Sequence, residues 1–159
     1  MTLRSQFIQN RSGASAAEFA ILVPVIGTML FGLIKFGIVY NNYLSLTAGV
    51  ANAERQFAVS RTSTTPISTA VTALTTTAPT LNTSQLKVNV LIGATSCTGG
   101  LVASTSAASS DSGCAGSMAK ASGTASTLTA TYPCDLSVMG VNFGGAGCML
   151  TAQASERIE

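Results

Sequence analysis

Residues 11–40 read RSGASAAEFAILVPVIGTMLFGLIKFGIVY. From Phe19 to Tyr40 the stretch holds 22 residues and a single charge, Lys35. As an α-helix it extends about 33 Å, close to the roughly 30 Å hydrocarbon thickness of a bilayer. A buried core helix of this kind needs a large protein around it, and the remaining chain is too small and too polar to supply one. The stretch therefore reads as a membrane span. Its threshold carries a carboxylate, Glu18, which is costly at the edge of lipid and calls for a partner.

The flanks give an orientation. Arg4 and Arg11 precede the span with no acid beside them, whereas Glu54, Arg55 and Arg61 follow it in near balance. The positive-inside rule then places the N-terminus in the cytoplasm and the rest outside. Cysteine usage agrees: Cys97, Cys114, Cys134 and Cys148 all lie beyond the span, an even number suited to an oxidising compartment and two disulfides. Four cysteines allow three pairings and sequence does not choose among them. Pairing of sequence neighbours, Cys97–Cys114 and Cys134–Cys148, is the working expectation.

Composition excludes several function classes. Of 159 residues, 9% are charged and 47% hydrophobic, too apolar for a disordered chain and poor in charge for a cytosolic globule. A net charge of +2 offers no basic face for nucleic acid. The chain has no histidine, hence no imidazole base or metal ligand. No Cys-x-x-Cys spacing occurs, so zinc and thioredoxin-like chemistry are unsupported. Asp111, Asp135 and Glu156 sit in unrelated contexts, leaving a Ser/Lys pair built on Lys87 or Lys120 as the residual catalytic option. No enzyme activity, cofactor or metal site is expected.

The span is too long for a secretory signal core. Ala51–Asn52–Ala53 has the chemistry of a signal-peptidase site but lies more than ten residues past the run. Gly13, four small residues, Glu18 and Phe19, after a short basic leader, resemble instead a type III (prepilin-type) signal. More closely, Arg11, Gly13, Glu18, Phe19, Ala20, Pro24, Phe31, Gly32 and Gly37 are similar to the start of TadE-like proteins, minor pseudopilins of Tad (Flp-type) pilus systems. Lys35 departs from the family pattern, which carries an acid there. "TYPC" (131–134, after Ala130) and the ending "LTAQASERIE" (150–159) also look like the TadE-like C-terminal region.

The resemblance implies cleavage by a prepilin peptidase after Gly13, with Gly13, Ala14, Glu18 and Phe19 as the processing residues. It also implies that Glu18 meets the new N-terminal amine of a neighbouring subunit and sets axial register. Its implied partners are that peptidase, other pilins or pseudopilins and the Tad inner-membrane machinery, alongside membrane lipid. The expected place is the bacterial inner membrane, single-pass, with the C-terminal domain periplasmic. The alternative is an uncleaved single-pass envelope protein with a disulfide-bonded binding or adhesive domain. On its own, an acid at a helix start is also favoured by the macrodipole. For Lys35, snorkelling of the ammonium to the outer interface is the expectation.

Beyond the span, Tyr43, Leu46, Val50, Ala53 and Phe57 recur at 3, 4, 3 and 4, a heptad-like seam. One helix is expected from about Ala14 to Arg61. Thr65 and Pro66 begin a short helix with Ile67, Ala70, Val71 and Leu74 on one face, and Pro79 ends it. Strands are expected where Leu86, Val88, Val90 and Ile92 alternate, where Leu128, Ala130 and Tyr132 do, and along Leu150, Ala152, Ala154 and Ile158. Residues 97–124 and 136–148 read as glycine- and serine-rich loops. The latter lacks the helix and Lys-Ser/Thr of a phosphate loop. The expected fold is α+β: a long N-terminal transmembrane and amphipathic helix continuing into a small antiparallel-sheet domain stapled by disulfides. Its divisions are a leader over 1–13, a transmembrane helix over 14–40, an extracytoplasmic extension over 41–61 and a periplasmic domain over 62–159.

Overall fold

The computed structural model describes residues 12–97, 101–102, 107–138, 140–145 and 147–159. Arg4 and Arg11, with nearly all of the 1–13 leader, lie outside the described residues, as do parts of the two expected loops.

A single helix, α1 (Ser12–Val59), runs 48 residues without interruption through Pro24. Its length is about 72 Å, so it cannot be covered by a domain this small. The first part is bare: Phe19, Ile21, Leu22, Met29, Phe31 and Leu33 are each more than half exposed. The last part is the spine of the core. Leu46, Val50, Ala53 and Phe57 are buried along the expected seam, whereas Tyr43 stays 40% exposed and does not join it. The α+β architecture is the expected one, a long apolar helix leading into a small antiparallel sheet.

Helix α2 (Pro66–Thr77) starts on its proline and buries Ile67, Ala70, Val71 and Leu74 against α1. The close approach runs through Gly49, where an added Cβ would stand 3.2 Å from the Leu74 carbonyl oxygen and 3.3 Å from Ala78 Cβ. Thr65 occupies the N-cap position but its hydroxyl makes no capping bond. The cap comes from elsewhere. Asp111 is buried and its Oδ1 accepts the Ile67 N–H at 2.7 Å and the Ser68 N–H at 3.1 Å, while the Ser68 hydroxyl donates to Oδ2. Asp111 belongs to α3 (Ala107–Ala119), a helix inside the stretch expected to be loop. That expectation is corrected: the composition AASSDSGCAGSMA is poor in helix formers, and packing against α2 holds the helix. Asp111, Cys114 and Met118, at spacings of three and four, form its buried face.

The sheet order is β2 (Thr95–Ser96), β1 (Lys87–Ile92), β4 (Ala125–Pro133), β7 (Met149–Arg157), all antiparallel, with β3 (Leu101–Val102) also pairing β1. The three long strands are those expected. Their inward rows, Val88–Val90–Ile92 and Leu128–Ala130–Tyr132 among them, close over α1 to complete the core. Short strands β5 (Ser137–Val138) and β6 (Val141–Asn142) make a separate hairpin within the second expected loop, with Gly140 at φ +82 in the turn. Two-residue pairings of this kind carry no periodic signal to read.

The Asp111 cap is worth testing directly. Asp111→Ala leaves two N–H groups of α2 without their acceptor and is expected to lower stability by about 2 kcal/mol, whereas Asp111→Asn, which keeps an acceptor, loses less. Denaturant unfolding of the full chain in detergent micelles, followed by circular dichroism, measures both.

Candidate functional site

Among the described residues, α1 is the one helix long and apolar enough to cross a membrane, with mean hydropathy 2.1 and none of its apolar window buried. Gly13, Ala14, Glu18 and Phe19 all lie along its first turns. Glu18 is exposed and Phe19 is 66% exposed. At Gly13 an added Cβ would meet nothing within 4 Å. Among the described residues, nothing covers Gly13, Glu18 or Phe19 at this end of the helix.

Lys35 has a partner that the snorkelling expectation did not name. Its Nζ donates to Asp135 Oδ2 at 3.0 Å, across a separation of 100 residues. Asp135 lies just after β4, where it also accepts from the Ser137 hydroxyl and from the Ser137 N–H at 2.9 Å. The Ser137 hydroxyl and N–H, then the Lys35 ammonium, hold the Asp135 carboxyl down to about 2. Lys35, Phe31, Ser137 and Val138 together line a small cleft between α1 and β5. The chain after β4 therefore turns back along the apolar helix.

That returning loop is closed covalently. Cys134 and Cys148 form a disulfide with Cα atoms 5.4 Å apart, joining the end of β4 to the start of β7. Cys97 and Cys114 are thiols, the first half-buried after β2 and the second fully buried in α3. They hydrogen-bond to one another. That bond lowers the Cys97 thiol from its ordinary value, and with burial it raises the Cys114 thiol. Two of the four sequence-predicted cysteines are thus bonded and the other two adjacent.

The least expected polar group is Glu54. It sits in α1 with no exposed surface, packed against β4 and β7. Its Oε1 accepts from the buried Ser126 hydroxyl, while Oε2 has no hydrogen-bond partner among the described residues. Burial pushes the carboxyl up, opposed by the Ser126 hydroxyl and the Glu156 backbone. The sequence carries a signal for it: Glu54 follows Val50 by four residues and precedes Phe57 by three, on the flank of the buried seam. Lys87 and Lys120, the residual catalytic option, are both exposed. Among the described residues no cluster of three or more Asp, Glu or Cys side chains is placed to hold a metal ion.

These features define a class: an α+β protein held by one long apolar helix, with a disulfide-closed loop folded back on that helix. Residues 13–55 match the family model described as TadE-like protein. The match begins on Gly13 and takes in the span and the first part of the buried seam. It covers Gly13, Glu18, Phe19, Ala20, Pro24, Phe31, Gly32 and Gly37 of the resemblance, and does not reach Arg11 or the two C-terminal stretches, 131–134 and 150–159. It suggests a part in a Tad-type pilus system. Comparison with curated proteins and with solved structures gives no match.

Because the Glu54 carboxyl is raised above its ordinary 4.5, the folded chain holds that proton more tightly than the unfolded one. Stability attributable to this group is therefore fullest below 4.5 and falls as pH rises through the folded value. Glu54→Gln, which keeps an acceptor for Ser126 and cannot ionise, is expected to raise the melting temperature at neutral pH. The gain should vanish toward pH 4.5, as thermal unfolding across a pH series would show.

Proposed function

We propose that the chain is a membrane-anchored minor pseudopilin that a prepilin peptidase processes, and that it takes part in assembling or initiating a Tad/Flp-type pilus. The observation that carries this reading is the TadE-like match opening on Gly13, in the first turn of an apolar helix whose side chains are exposed among the described residues. In this reading the helix stays in the inner membrane after cleavage, and the C-terminal domain lies in the periplasm.

The chemistry follows from the cut. Hydrolysis of the Gly13–Ala14 bond leaves a free amine on Ala14, protonated at neutral pH. Glu18 is then the fifth residue, one helical turn away. A carboxylate at this depth is stabilised by a charge-assisted hydrogen bond, and the neighbouring subunit's amine supplies one while setting the stagger between helices. The bare flank of α1 offers the lateral surface on which other pilin-like helices pack. No step of this role requires catalysis by the chain itself.

The cysteines fit an oxidising periplasm. There Cys97 and Cys114 would join as a second disulfide, the two thiols giving up two protons and two electrons to a disulfide-exchange oxidant. The lowered Cys97 thiol is the better nucleophile for that exchange.

Terminal sequencing of the protein from a cell with its own prepilin peptidase tests the reading. Ala14 as first residue is the expected result, and a retained Met1 or a start at Glu54 would overturn it. Glu18→Ala is expected to be inserted in the membrane yet to lose pilus assembly. Undiminished piliation would remove the register role from Glu18.

A further inference from the structure

Outside α1, the large apolar side chains exposed among the described residues are Val141, Phe143 and Met149. All three lie in or directly after the Cys134–Cys148 loop. Phe143 is 73% exposed and Val141 57%, values as high as those of the span itself. The same loop is pinned to α1 at Lys35 through Asp135, and the β5 side of the hairpin faces Phe31. In the hairpin Val138 pairs with Val141, and the Phe143 N–H donates to the Leu136 carbonyl at 3.2 Å. The exposed pair therefore stands beside the Phe31–Lys35 section of the helix. That section ends five residues short of Tyr40, about 7 Å along the axis.

We propose that this hairpin is a second membrane contact, with Val141 and Phe143 seated at the headgroup–acyl boundary of the leaflet facing the C-terminal domain. It rests on the reading of α1 as a membrane span and goes beyond it. The occupant is lipid because the hairpin is continuous with the apolar helix surface and fixed at a depth that the span carries into the bilayer. Its polar groups are suited to the boundary and not to the hydrocarbon. The β5–β6 backbone is paired, Ser137 is bonded to Asp135, and Asn142 Oδ1 accepts the Gly144 N–H at 3.0 Å. Lipid-facing irregular chain is not tolerated in the hydrocarbon core, so the boundary must lie near the hairpin. Lys35 and Asp135 then lie among headgroups, and residues 19–34, about 24 Å of helix, cross the hydrocarbon. The membrane boundary on this side falls near Lys35 and not at Tyr40.

The chain has no tryptophan, so single introduced tryptophans report their own surroundings. Full-length Phe143→Trp, Met29→Trp and Val59→Trp are reconstituted separately into phosphatidylcholine vesicles carrying bromines either near the headgroup or deep in the acyl chain. Val59 is 63% exposed at the far end of α1 and serves as the aqueous control. The expected result for Phe143→Trp is blue-shifted emission, quenched about twofold by the shallow bromines and less by the deep ones. Emission from Val59→Trp should be unquenched, and that from Met29→Trp quenched most by the deep bromines. Val141→Trp repeats the measurement at an adjacent exposed site. An unquenched Phe143→Trp variant alongside a quenched Met29→Trp variant overturns the hairpin contact and leaves the span standing. Absence of quenching in both variants overturns both. Emission from Phe143→Trp that is unquenched but shifts blue with protein-to-lipid ratio overturns the lipid contact in favour of a second copy of the chain.

Discussion

One helix serves two solvents, and the rest of the molecule is arranged around the point where it changes from one to the other. Along α1, Phe19 to Tyr40 keeps its apolar side chains outward, whereas Leu46, Val50, Ala53 and Phe57 turn theirs into a protein core. No break in the backbone marks the change. The difference lies in what the flanking residues can tolerate. Asn52, Arg55 and Gln56 give the later section a polar side, so one stripe must be buried. The earlier section has no continuous polar side to turn outward, and apart from the Phe31–Lys35 flank, where the disulfide-closed loop lies, its circumference is left for lipid or for other helices.

Because the core is built on the end of a long rod, its position relative to the span is set by rigid geometry. Helix α2 is locked to α1 through Gly49, and the sheet closes over the same seam. Two polar anchors then fix the periphery. Asp111 ties α3 to the start of α2, and Asp135 ties the disulfide-closed loop back to Lys35. The first is buried and its acceptor oxygens are matched to donors on α2, so it orders an otherwise weak helix. The second is exposed and contributes direction more than stability. Glu54 is the counter-example, a buried carboxyl group with one oxygen unmatched among the described residues, which the surrounding packing must support.

The residues proposed for processing and register and the folded domain occupy opposite ends of this rod. Gly13 and Glu18 sit where none of the described residues covers them. A structural subunit is expected to look like this. In the proposed role its interaction surface is the helix itself, and the domain supplies bulk, a disulfide frame and a fixed stand-off from the membrane.

Periodicity and local chemistry made much of this legible in advance. The span, the seam at spacings of three and four, the proline-started α2 and the three alternating strands all follow from side chains that must share a face to be buried. The proposed processing signal is legible for a different reason, being contiguous in the chain. Helix α3, the β5–β6 hairpin, the exposed Tyr43 and the partners of Asp111, Glu54 and Lys35 were not legible. The polar partners are far apart in the chain, by 43 and 44 residues for the Asp111 cap, 72 for Glu54 with Ser126 and 100 for Lys35 with Asp135. Burial can be read from a pattern because it needs only an apolar face. A hydrogen bond or ion pair needs a particular atom in a particular place, and only the folded chain decides which one is there.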